Sequence, residues 1–161
     1  MKSLPNVPTH IRRHIKKWSK YYSVEQKECE DKNLLRMHPT IHPIWIGCKI
    51  AHPHDDTDFF RDKLFLNLTI SSNDHIFGDA RYSIANKDGG NPEGFGVPVG
   101  TIFKTDPRIV HWLFNERYSS KEIWIGVQWE IPRRSWKKDS KIIIDNLINT
   151  YEGVQIRNFN Y

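Results

Sequence analysis

Three stretches of this chain carry the β-branched, aromatic and alternating pattern of strands, and they limit the fold more than anything else in it. Leu64, Leu66, Leu68 and Ile70 alternate with Phe65, Asn67, Thr69 and Ser71, which predicts a half-buried strand. Ile44 to Ala51 and Glu122 to Ile131 are two further apolar runs, the second closed by Pro132. These two echo each other. Ile44-Trp45-Ile46-Gly47 matches Ile123-Trp124-Ile125-Gly126, and Pro53 matches Pro132. Nothing around the echo repeats, so it reads as two central strands meeting one packing problem, with glycine where another group approaches closely.

Around these strands the spacing predicts the rest. Residues 1–8, with Pro5 and Pro8, form an extended arm. Thr9 caps a helix over about His10 to Tyr22, with Ile11, Ile15, Trp18 and Tyr22 as its apolar stripe. Residues 23–35 are a loop or a short helix, and His52 to Asp58 a polar turn. Ile76 to Ala85 is a third strand, which makes 63–85 an antiparallel hairpin turned at Asn73-Asp74. Residues 87–100 hold five of the nine glycines and form a long irregular loop, with Phe95 as its exposed aromatic residue. Thr101 to Lys104 is a short strand. Asp106-Pro107 opens a helix to about Glu116. Ser135 caps a last helix with Trp136, Ile143, Ile144, Leu147, Ile148 and Tyr151 inward, ended by Gly153. Val154 to Tyr161 forms a final strand. The expected architecture is one α+β domain over residues 1–161. It has a mainly antiparallel sheet of about five strands, with helices packed on one face.

A chain of 161 residues is long enough to bury a core without disulfides or a structural metal. Its 38% hydrophobic and 27% charged content excludes a disordered tail and a membrane protein. No run approaches the roughly 18 apolar residues of a membrane span. Met1 to Asn6 shows no apolar secretory segment. Two cysteines make no scaffold, so a reduced cytoplasmic chain is expected, with Cys48 in the core and Cys29 at the surface.

Charge is unevenly placed. The overall net charge is +5, yet residues 1–27 alone carry +6. A second cluster over 133–141 carries +4. The function expected from this layout is non-enzymatic binding of a polyanion, most readily nucleic acid, without a cofactor. Arg12, Arg13, Lys16, Lys17, Lys20, Arg133, Arg134, Lys137 and Lys138 would follow phosphates, and Tyr21 would stack a base. A second reading is a small metal-dependent hydrolase or nuclease. His52, His54, Asp55 and Asp56 bring imidazoles and carboxylates together, as a divalent metal requires. A third is a protein–protein adaptor or inhibitor. His38 and His42 belong to stiff His-Pro connectors, and His10, His14, His75 and His111 fall in no motif. The glycine loop lacks the context of a nucleotide-binding turn.

Overall fold

The computed structural model describes residues 1–18, 25–80, 94–115 and 122–157. The chain opens with helix α1 (Thr9–Trp18), strand β1 (Glu25–Glu28) and one helical turn, α2 (Lys32–Leu35). Strands β2 (Ile44–Cys48) and β3 (Ala51–His54) follow, then the short helix α3 (Thr57–Phe60). Next come β4 (Lys63–Ser71), β5 (His75–Asp79), β6 (Phe95–Gly96), β7 (Thr101–Thr105), β8 (His111–Asn115) and β9 (Trp124–Pro132). A 3₁₀ turn (Arg133–Ser135) leads into helix α4 (Trp136–Thr150), and β10 (Gln155–Ile156) ends the described chain.

The strands form two sheets rather than the single sheet of about five that the sequence suggests. One has the order β1-β2-β9-β4-β7-β10 and the other β3-β8-β5-β6. All pairings are antiparallel except that of β10 with β7. Within β2 to β9 the chain crosses repeatedly between the sheets. It places its first, eighth, third and sixth strands in one and its second, seventh, fourth and fifth in the other. That is the order of a jelly roll.

Strand β4 shows why. Its seven inner residues are all buried, so the expected half-buried strand is instead covered on both sides. Leu66, Leu68 and Ile70 join Ile11 and Ile15 of α1 and Ile143 and Leu147 of α4 in one core cluster. The alternate residues turn toward the second sheet, where Thr69 accepts a hydrogen bond from the Trp124 indole at 3.0 Å. Between the sheets Phe77, Phe95, Phe103 and Trp124 form a second cluster, with edge-to-face contacts such as Phe77–Phe95 at 5.6 Å and Phe103–Trp124 at 6.0 Å. Phe95, expected as an exposed loop aromatic, is therefore a core residue. The first half of its loop, residues 87–93, lies outside the described residues.

The expectations about strand pairing fail for one reason, which is that a jelly roll changes sheet at its turns. The run 44–51 is two strands, β2 and β3, in different sheets. Asn73-Asp74 does turn the chain, with Asp74 at φ 54°, but β5 pairs with β8 and β6 instead of folding back on β4. The expected helix from Asp106 is absent. The Asp106 carboxylate accepts the Arg108 amide at 3.0 Å, and its carbonyl accepts the Ile109 amide at 3.0 Å. These bonds close a tight turn, after which His111–Asn115 extends as β8. Cys29 is buried, not at the surface, and both cysteines are free thiols. Ile148 points outward.

The echoed segments are adjacent strands in the register Ile46↔Gly126 and Gly47↔Ile125. A Cβ on Gly47 would stand 2.7 Å from the Ile15 side chain, and one on Gly126 would stand 2.7 Å from the Leu68 carbonyl. Both glycines admit a close neighbour, as the echo implied. The close seat of Ile15 on β2 yields a test. Ile15→Ala should cost about 2–5 kcal/mol in urea unfolding. Arg13→Ala with Lys17→Ala, on the exposed side of α1, should shift it by less than about 1 kcal/mol.

Candidate metal centre

The jelly roll brings together a site that the sequence only half revealed. Strand β3 lies antiparallel to β8 with His54 opposite His111. Two residues past His54 the chain enters α3, whose start is Asp56. The Asp56 amide donates to the Pro107 carbonyl at 2.8 Å, which ties this corner to the turn preceding β8. His54, Asp56 and His111 thereby offer one ligand atom each, all within 4.8 Å of one another.

The tautomers are set from behind. His54 Nδ1 donates to the His52 carbonyl, and His111 Nδ1 donates to the Ile109 carbonyl at 2.8 Å. Each neutral ring therefore presents the bare lone pair of Nε2 on its other side. Both Nε2 atoms face one carboxylate oxygen. Asp56 Oδ2 is 3.4 Å from His111 Nε2 and 3.8 Å from His54 Nε2. Three electron-rich atoms converging in this way repel one another unless a cation, either a proton or a metal, stands among them. Contact with the His111 imidazole holds the Asp56 carboxyl below its ordinary range, against the opposing effect of burial. Bonds of about 2.1 Å to a metal put neighbouring ligand atoms about 3 Å apart at right angles and about 3.4 Å apart at the tetrahedral angle, so the two distances to Asp56 need at most a small contraction.

The triad lies on the wall of a cleft of about 130 Å³ between the sheets. Phe60, Phe65, Phe77, Phe103 and Trp124 line it, with Asn67, Thr105 and Gln128 as its neutral polar residues. Cys48 also lines it, but burial pushes its thiol up to about 12, so it stays protonated and unreactive.

Of the four ligands expected from sequence, only His54 and Asp56 meet. His52 and Asp55 are exposed, and Asp55 instead accepts the Thr57 amide at 3.3 Å. The irregularity between Ala51 and His54 breaks the alternation that would have aimed both histidines one way. The missing ligand, His111, was hidden by the expectation of a helix over 106–116. Read as a strand, His111-Trp112-Leu113 would have drawn attention to it. His38 is a structural residue, with Nε2 2.9 Å from Asp139 and Nδ1 accepting the Thr40 and Ile41 amides.

The basic clusters fare unevenly. Arg12, Arg13, Lys16 and Lys17 are exposed along α1, as are Arg134, Lys137 and Lys138 near the start of α4. Arg133 is held in an ion pair with Asp106 and also donates to the Arg61 carbonyl at 2.9 Å. Lys20 and Tyr21 lie outside the described residues. Among the described residues no helix is long and apolar enough to cross a membrane.

No family model matches the chain, and no curated protein does. Among solved structures the chain is similar to the plu4264 protein from Photorhabdus luminescens. The two share 13% identity over 80% of this chain and 86% of that one, with a TM-score of 0.40. A likeness at that level carries no statement about activity.

The triad makes a direct prediction. The parent should retain one equivalent of a divalent transition metal after dialysis. At a free metal concentration a hundred times Kd, its stability should rise by about 2.7 kcal/mol. His54→Ala, Asp56→Ala and His111→Ala should each lose that metal in elemental analysis, and His52→Ala should keep it.

Proposed function

We propose that this chain is a mononuclear non-haem iron(II) enzyme that carries out oxygen chemistry on a small, largely apolar substrate. The observation that carries the reading is the convergence of His54 Nε2, His111 Nε2 and the Asp56 carboxylate on one point of an aromatic cleft. Two histidines and one carboxylate, with coordination positions left open, form the ligand set of non-haem iron(II) oxygenases. When bound, the iron supplies the activation of dioxygen. The chain's own residues do the rest. His52 and Ile109 hold the imidazoles in the ligating tautomer through their carbonyls. Phe77, Phe103 and Trp124 wall the site with apolar surface that disfavours water.

A zinc hydrolase could use the same three ligands and draw its nucleophile from zinc-bound water, but a further acid or base to relay protons to the leaving group would speed it. Among the described residues lining the cleft, Asp56, His54 and His111 are the only acidic or imidazole groups. All three are committed to the metal in this reading, which favours oxygen chemistry over hydrolysis. The test uses the protein loaded anaerobically with iron(II) and exposed to nitric oxide. Expected is the spin-3/2 resonance of an iron–nitrosyl in the parent and its loss in His111→Ala. Exclusive retention of zinc, together with hydrolytic turnover, would refute the proposal.

Polyanion binding is a second reading, supported by one local feature. Arg12 and Lys16 flank a surface groove with Ser71, Ser72 and Glu122, where the hydroxyls and two cations suit phosphate oxygens and the one carboxylate opposes them. Binding of single-stranded oligonucleotides should then weaken with salt by about 0.7 log units per log unit of salt for each phosphate contacted. Arg12→Ala with Lys16→Ala should flatten that slope. An unchanged slope would assign the helix face to solubility alone.

A further inference from the structure

Deep in the cleft a row of neutral polar side chains crosses three strands, and its hydrogen bonds have only one consistent direction. Asn67 stands opposite Gln128 on β9 and Phe103 on β7. Its side-chain amide reaches the Phe103 carbonyl at 3.3 Å and Thr105 Oγ1 at 2.8 Å. A carbonyl only accepts, so the group facing it is the Asn67 NH₂, and Asn67 Oδ1 must face the other way. Gln128 meets that oxygen at 2.9 Å and must do so with its own NH₂. The row is thereby fixed end to end, and Gln128 Oε1 is left over. That oxygen is buried, on a residue of the cleft wall only 5% exposed, and meets no donor among the described residues. Leaving a buried acceptor unsatisfied is costly, because it has given up its water for no partner.

We infer that Gln128 is the specificity-determining residue of the cleft, and that its Oε1, closed to a water-sized group as the side chains stand, is uncovered by a small shift and accepts a hydrogen bond from the N–H or O–H of a small neutral substrate. This rests on reading the cleft as the active site. The surroundings select the substrate class. Among the described lining residues there is no lysine or arginine to hold an anion. The aromatic walls penalise a charged group that must shed its water. The volume is near that of an engineered cavity of about 150 Å³ that takes up benzene. The fitting ligand is therefore a molecule, or the end of a longer one, of about ring size with one neutral donor. A substrate lacking the donor leaves Gln128 Oε1 unpaired, and that loss supplies the discrimination.

The test needs no identified substrate. Metal-free parent protein is titrated with benzamide and with methyl benzoate, which keeps the ring and carbonyl but has no N–H. Binding is followed by ligand-detected nuclear magnetic resonance. Benzamide should bind about tenfold more tightly, equivalent to about 1.4 kcal/mol. Gln128→Met keeps the bulk, removes the acceptor and should erase the preference, while the metal content set by His54, Asp56 and His111 stays at the parent's level. Equal affinities in the parent, or no binding of either probe, overturn the assignment to Gln128 even if iron binds normally. A protein that prefers benzamide, loses that preference in the variant and holds no metal keeps the assignment and removes the iron reading. Asp56 and the bare imidazole nitrogens also accept in the metal-free cleft, so the preference is assigned by its loss at position 128, and Gln128→Leu takes the place of Gln128→Met if that variant fails to fold.

Discussion

The long pairing of β4 with β9, from Lys63↔Pro132 to Ser71↔Ile125, is the constraint from which the rest of the molecule follows. It puts two nine-residue strands at the centre of the larger sheet and leaves neither with an open face. On one side Leu66, Leu68, Ile125, Val127, Trp129 and Ile131 meet the helices. On the other, Asn67, Thr69, Trp124 and Gln128 meet the smaller sheet. Strands covered on both sides read as continuous apolar runs. The few polar residues among them are therefore informative, because each must find a partner inside the protein.

That requirement separates the two cores by chemistry. The helix-side cluster is dominated by aliphatic side chains and serves stability. The cluster between the sheets is aromatic. Large rings meeting edge to face pack less evenly than aliphatic chains, and a cleft remains where they end. The triad and the Asn67–Gln128 row lie on different walls of that cleft. The triad comes from β3, β8 and the start of α3, and the row from β9, β4 and β7. A bound molecule would be held between the two sheets, with its reacting end at the smaller sheet and its donor at the larger.

Strand identity was legible along most of the chain because β-branched and aromatic alternation is a local property. Strand pairing was not, because residues 63–79 look the same whether the turn at Asn73-Asp74 closes a hairpin or passes the chain to another sheet. The Asp106-Pro107 dipeptide misled for a related reason. The side-chain acceptor that caps a helix also closes a tight turn, and only the β5 partner of β8 decides between them. With it went His111, so the sequence yielded His54 and Asp56 but drew His52 and Asp55 into a ligand set completed elsewhere. The basic face of α1 was readable from helical period alone. Arg133 was not, because its partner Asp106 is distant in sequence.

Among the described residues, strand β3 forms the edge of the smaller sheet, is interrupted by an irregularity, and pairs with β8 alone. It is a strand expected to fray. A cation shared by His54, Asp56 and His111 would join it to its neighbour at its far end and tie residue 54 to residue 111 through the core. Such a tie acts on the unfolded chain as a covalent bridge does, by removing the freedom of the long loop it closes. In this fold the ion would thus be a reversible clasp, and the integrity of the sheet edge would follow the supply of metal.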